Sequence, residues 1–197
     1  MVTRLPAVER RRQLLDVALE VFAARGFYGT SMDELAETAG VTKPVLYKHF
    51  GSKRALYIQL LEDVGERLID EITKVTAAAS GPRQQVEAGF AAYFHFVAEN
   101  EHAFRLLFGA APRRGGSVDH DLTEASLRVE DAIAEAIAPM IDAPIVDEHR
   151  RVLAQGIVGI AEATGRYWIA EGRKLDAEAL ARRIADLAWA GLRAVHP

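Results

Sequence analysis

The stretch GVTKPVLYKHFGSK, residues 40–53, governs how the rest of the chain is read. Gly40 can end one helix in a left-handed conformation, and Gly51-Ser52 interrupts the next. Thr42 is placed as an N-cap, with Lys43 and Pro44 in the first turn, where the missing proline N–H has no intrahelical partner to lose. A helix of about two turns over 43–49 is therefore predicted. Upstream, Ser31-Met32-Asp33-Glu34 reads as a capping box that opens a short helix to about residue 39. Two short helices joined by a glycine-containing turn have the spacing of a helix-turn-helix. Ala36 is small where they would cross, and Leu35, Val41 and Leu46 can pack inward. Thr42, Lys43, Pro44, Tyr47, Lys48 and His49 then face out, a set rich in hydrogen-bond donors and free of carboxylates. A helix that reads DNA needs such a face, because it approaches base edges between two rows of phosphates. A plain helical hairpin with solvated lysines fits the same pattern, so the surrounding chain has to decide.

Across 197 residues the chain is 50% hydrophobic and 26% charged, the profile of a globular protein long enough for one substantial core or a small module joined to a larger one. It has no cysteine, which excludes disulfides, thiolate metal sites and thiol nucleophiles. No apolar run approaches the roughly 18 residues of a membrane span, and no apolar leader follows a basic start, so a cytoplasmic location with no membrane partner is expected. The formal net charge of -4 averages two unlike regions. Residues 1–60 carry nine Lys and Arg against six Asp and Glu, and residues 61–197 carry fifteen against twenty-two. Only the N-terminal part is suited to a polyanion.

Helical spacing of Ala, Leu, Glu and Arg runs nearly throughout and no alternating β pattern is present, so the fold is read as all-α with about nine helices. A first helix over 7–25 shows the stripe Leu14, Ala18, Val21 and Phe22 and is closed by Gly26. Ser52 caps a long fourth helix from 53 to about 79, which Gly81-Pro82 stops. Further helices are expected near 82–99, 101–110, 118–138, 145–171 and 177–194, punctuated by Asn100, the loop 112–116, Pro139, Pro144 and Gly172. The division expected is a three-helix head over 1–52 and a helical body over 53–197.

From Arg10 to Leu60 the chain strongly resembles the TetR family of bacterial transcriptional regulators, in LLDVALEVFAARGFYGTSMDELAETAGVTKPVLYKHFGSKRAL. The resemblance implies a DNA-binding head and a ligand-binding, dimerising body. It implies that Lys43, Pro44, Val45 and Lys48 face the major groove, while Ser31, Thr42, Tyr47, His49 and Lys53 bind phosphates or brace them. Lys48 could donate to guanine, and Val45 or Pro44 could touch a thymine methyl. Arg4, Arg10, Arg11 and Arg12 form an arm that either reaches the DNA or is a solvated terminus.

In the body, Phe90, Tyr93, Phe94, Val97, Phe104, Leu107 and Phe108 form an aromatic-rich stripe across two consecutive helices. It is either plain core or the wall of an effector pocket, the reading that family resemblance supports. Gly156, Gly159 and Ala163 leave a small-residue track bordered by Ile160 and Tyr167, and Ile184, Leu187 and Gly191 lie on the last helix. These residues pack within the chain or, as the resemblance implies, form the interface of a homodimer. Short matches at "RLLF", "RYW" and "AWAGL" resemble the actinobacterial regulators of lipid synthesis that sense long-chain acyl-CoA. They make an apolar effector of that kind the first candidate, with Arg113, Arg114 or Arg128 available for a phosphate.

His95, Glu99 and His102 share i, i+4, i+7 spacing, but Asn100 is expected to break the helix between them. No further ligand is recognisable, so neither a metal nor any other cofactor is expected. No nucleophile-base-acid order, phosphate loop or paired-carboxylate motif points to catalysis. A helical enzyme and a lipid carrier that does not bind DNA remain the alternatives to a regulator.

Overall fold

Gly40 takes φ 63° and Gly51 φ 71°, the left-handed backbone that the two glycines of the opening stretch supply without a Cβ clash. The computed structural model describes residues 6–109 and 119–195 in full and the backbone of 113–114 and 117–118. Among the described residues the helices are α1 (Ala7–Gly29), α2 (Met32–Thr38), α3 (Lys43–Phe50), α4 (Lys53–Ala77), α5 (Pro82–Glu99), α6 (Glu101–Phe108), α7 (His120–Ile137), α8 (Asp147–Ala170) and α9 (Ala177–Leu192). A 3₁₀ turn, Ala138–Met140, follows α7. The all-α reading holds, with one addition: Arg113–Arg114 (β1) pairs antiparallel with Ser117–Val118 (β2), where a loop is expected from the sequence. At Gly26 (φ 69°) α1 kinks rather than ends, and one further turn follows to Gly29.

The chain packs as two units. The first contains residues 1–63 and 102–126, the second 64–101 and 127–197, so the boundaries fall inside α4 and α7. In the first unit Leu14, Leu15, Ala18 and Phe22 of α1, Leu35 and Ala36 of α2, Leu46 and Phe50 of α3, and Leu56 and Leu60 of α4 are buried. Burying each large side chain contributes about 1.5 to 3 kcal/mol, which holds the short helices α2 and α3 that could not persist alone. Rings of Phe22, Phe27 and Tyr57 meet edge-on at 5.1 and 5.2 Å and close the α1 end of this core. Burial pushes the Tyr57 phenol up to about 12.

In the second unit α9 packs along α5, and α8 touches both. Phe94 is the centre of its aromatic core, with Tyr93 at 5.1 Å and Trp168 of α8 at 6.1 Å, both edge-on. Trp168 is fixed by its indole N–H, which donates to the Leu175 carbonyl at 2.8 Å. Arg173, at φ 56°, holds the turn between α8 and α9: it donates to the Ala98 carbonyl at 3.0 Å, pairs with Glu101, and lies over the Trp168 ring.

Candidate nucleic-acid interface

The turn between α2 and α3 is built from backbone. Val41 N–H donates to Ala36 O at 2.9 Å and Gly40 N–H to Glu37 O at 3.0 Å, the paired bonds of a Schellman motif. Ser31 Oγ accepts from Glu34 N–H at 3.1 Å, so the first half of the expected capping box is present. In the other half Glu34 turns away to Arg25, 2.6 Å distant. Thr42 occupies the N-cap of α3, but its hydroxyl makes no capping bond and remains outward. Ser52 caps α4 by accepting from Ala55 N–H at 3.0 Å.

With Leu46 and Phe50 buried beneath it, α3 leaves Thr42, Lys43, Pro44, Val45, Tyr47 and Lys48 exposed and His49 half-buried. This is the face expected from the spacing, and Val45 belongs to it as well. Ser31 is also exposed, at the start of α2.

The cations of the head are not equally available. Of the eight Lys and Arg in residues 6–60, seven are engaged. Arg10 donates to Gln13, Arg11 to Gln59, and Arg12 to Asp63 at 2.8 Å, so these three lie within α1, with Arg11 and Arg12 tied to α4. Arg4 lies outside the described residues. Arg25 pairs with Glu34, Lys43 with Asp33, and Arg54 with Asp119. The Lys53 ammonium donates to Phe27 O at 2.8 Å and Thr30 O at 2.7 Å and sits 4.4 Å from the Phe27 ring centroid. It therefore braces the end of α1, and its desolvation lowers its pKa. Lys48, in the middle of the exposed face, is the one cation of residues 6–60 with no hydrogen-bond or ionic partner among the described residues.

A further lock was not foreseen. The Arg54 guanidinium grips Asp119 with two bonds of 2.9 and 3.1 Å, and the Tyr28 hydroxyl donates to the same carboxylate. Asp119 also accepts from Leu122 N–H at 3.3 Å, which makes it the N-cap of α7. Arg54 and then Tyr28 hold the Asp119 carboxyl well below the usual carboxylate range. The sequence expectation runs the helix from residue 118, through Asp119, and the partners that make Asp119 its cap lie 65 and 91 residues away.

Of the stripe, Phe90, Tyr93, Phe94 and Val97 are buried in the second unit, and Phe104, Leu107 and Phe108 are buried in the first. Burial raises the Tyr93 phenol well above its ordinary value. A surface groove of about 470 Å³ lies elsewhere in the second unit, between the start of α5 (Gly81, Pro82, Gln85) and residues 139–143 with Arg150. The side chains of Arg113 and Arg114 lie outside the described residues. His95, Glu99 and His102 are exposed, and no group of three or more possible metal ligands occurs among the described residues.

On α8 and α9 an apolar face remains open. Val152, Tyr167 and Leu187 are 64%, 68% and 60% exposed. Gly156, Gly159, Ala163 and Gly191 are exposed between them, with Ile160 and Ile184 half-buried. A Cβ added at any of the three glycines would meet nothing within 4 Å.

Residues 14–60 match the model of the bacterial regulatory proteins of the tetR family, and residues 82–191 match that of the tetracyclin repressor-like C-terminal domain. The HTH-type transcriptional activator FasR of Mycolicibacterium smegmatis is 34% identical over 189 residues, covering 96% of this chain and 85% of that protein. A TetR-like transcriptional regulator from Rhodococcus sp. RHA1 superposes with a TM-score of 0.74 at 28% identity, covering 98% of this chain and 100% of that one. The FadR regulator of Bacillus subtilis, solved in complex with stearoyl-CoA, shares the fold at a TM-score of 0.69 and 20% identity, over 91% of this chain and 98% of its own. With a helix-turn-helix whose exposed face carries an uncommitted lysine, and with both halves matched, the chain belongs to the tetR family of DNA-binding transcriptional regulators.

Proposed function

We propose that this chain is a ligand-responsive regulator that binds a near-palindromic operator as a homodimer and whose DNA affinity is altered by a largely apolar small molecule, long-chain acyl-CoA being the first candidate. The observation that carries the DNA-binding part is the exposed face of α3 with Lys48 at its centre. A lysine with no hydrogen-bond or ionic partner among the described residues has no such bond to give up when it meets a guanine edge or a phosphate. In this reading Lys43, Pro44, Val45 and Lys48 enter the major groove. Ser31, Thr42, Tyr47 and His49 position the helix on the backbone, and Lys53 braces the platform from behind. Residues 1–52 serve DNA binding, and residues 53–197 serve the effector and dimerisation.

A two-turn helix spans only a few base pairs, so a two-fold partner is needed to extend the site. The open face of α8 and α9 suits that role, because small residues let helices approach closely and Tyr167 and Leu187 bury apolar area on association. For the effector, the cluster of Phe90, Tyr93, Phe94 and Val97 with Trp168 is the apolar wall against which an acyl chain would lie, and the stearoyl-CoA found in Bacillus subtilis FadR supports the choice of ligand. The chain acts by binding rather than turnover, in the cytoplasm.

The test is fluorescence anisotropy with a duplex selected by the protein from a randomised library, titrated with stearoyl-CoA, free stearate and CoA. Coupling of 1 to 3 kcal/mol, a shift of about five- to 150-fold in operator affinity, is expected for stearoyl-CoA. An operator affinity unchanged by every acyl compound contradicts the lipid effector. Failure to select any duplex contradicts the regulator.

A further inference from the structure

Lys43 opens α3 with its ammonium 2.9 Å from Oδ2 of Asp33, in the first turn of α2. Both side chains are in solvent, Lys43 at 47% and Asp33 at 71% exposure, so the pair spans the rim of the DNA-facing surface and not the buried crossing of the two helices. Asp33 has no other partner among the described residues, and the cap of α2 is Ser31. The α2 helix therefore does not depend on this carboxylate for its start. Lysine is unfavourably placed at the first position of a helix, where the dipole is positive, and Asp33 is the charge that offsets it. The Asp33 hydrogen bond and charge raise the pKa of Lys43 and so favour its charged form.

Resting on the reading of α3 as the recognition helix, we propose that Asp33 determines sequence specificity through Lys43, by holding its ammonium in a competing ion pair that is released only where the duplex presents a strong acceptor. A bare phosphate in solvent offers Lys43 little more than the Asp33 carboxylate does. A base edge in the groove, a guanine with two acceptors above all, offers a directed bond in a less solvated setting. Non-operator DNA therefore meets a head with Lys48 free and Lys43 withheld, whereas the operator engages both. Asp33 also presents negative charge to phosphates wherever Lys43 has left it, which again disfavours loose binding.

The experiment compares wild type, Asp33→Asn, Asp33→Glu, Lys43→Ala and the double variant Asp33→Asn/Lys43→Ala on two duplexes of equal length, one selected from a randomised library by the wild type and one of random sequence. Circular dichroism melts confirm that each variant is folded. Asp33→Asn is expected to bind the random duplex about two- to fivefold tighter, the range spanned by weak exposed ion pairs. Its salt dependence on that duplex should steepen by about 0.9 in log K against log salt, one extra phosphate contact. Affinity for the selected duplex should change less, so the specificity ratio falls, and Asp33→Glu should retain it. In the Lys43→Ala background Asp33→Asn should change neither affinity nor slope. Equal tightening with and without Lys43 would mean that Asp33 acts only as bulk negative charge and would overturn the proposal. So would equal tightening on both duplexes, or no change on either. A wild type that binds neither duplex at 50 mM salt removes the recognition helix itself, a different failure visible before any variant is made.

Discussion

Gly65→Ala should destabilise this protein although alanine is the better helix former. Gly65 lies on α4 where it meets α7, and a Cβ built there falls 2.3 Å from Cγ1 of Val129. Ordinary carbon contacts lie at 3.4 to 4 Å, so one partner must move by more than 1 Å. Val129 is 6% exposed and β-branched, with one favoured rotamer in a helix, so it cannot swing aside cheaply. Overpacking of this kind costs about 1 to 3 kcal/mol, against about 1 kcal/mol gained from replacing glycine by alanine in a helix. The net expectation is a loss of about 1 kcal/mol. In a Val129→Ala background the obstructing methyl is gone, and the same Gly65→Ala change should stabilise by about 1 kcal/mol. The coupling of about 2 kcal/mol is within the range for residues in direct contact. Urea unfolding followed at 222 nm, at one fixed protein concentration, gives all four stabilities. Stabilisation by Gly65→Ala in both backgrounds would refute the close crossing of α4 and α7 at this residue.

Asp119→Asn tests the lock on α7. Because the native carboxyl titrates below its unfolded value, its contribution is complete above the ordinary aspartate range near pH 3.9 and is lost as pH falls through the native value. The stability difference between wild type and Asp119→Asn should therefore be constant from pH 8 to 5 and shrink below pH 4, and a pH-independent difference would contradict the ionised pairing with Arg54. Lys53→Ala deletes two charge-assisted bonds to the end of α1 and should lower stability by about 1 to 3 kcal/mol, in contrast to a lysine that only touches phosphate. Leu187→Glu places a charge on the open α8–α9 face and, on the proposed homodimer, should give monomers in sedimentation at micromolar concentration where wild type is expected to be dimeric. An oligomeric state that does not change would remove that face from the interface.

Helix limits were legible wherever local chemistry sets them. Gly81-Pro82 and Asn100 bound α5 at the expected residues, and Gly40 sets the recognition turn through its own φ and two adjacent bonds. Helical spacing puts the start of α7 two residues early, because the start is fixed by Asp119 in the grip of Arg54, a contact between distant segments that no periodicity reveals. The donor-rich face of α3 was legible from spacing alone. Which of its cations is free was not: Lys43, Lys48 and Lys53 look alike in sequence, yet one is paired with Asp33, one is open, and one is turned into backbone carbonyls. Nor does the sequence reveal that the aromatic stripe is divided, with its α5 part in one packed unit and its α6 part in the other.

Whether α3 reads DNA through Lys48 is decided by the salt dependence of Lys48→Ala on a selected operator and on a random duplex. If Lys48 reads a base, the variant should lose about 1 to 3 kcal/mol on the operator, roughly five- to 150-fold, and much less on the random duplex. Its melting temperature should match wild type, since the Lys48 side chain has no hydrogen-bond or ionic partner among the described residues. Equal operator affinity in Lys48→Ala and wild type at every salt concentration would contradict the assignment of this face as the DNA-reading surface.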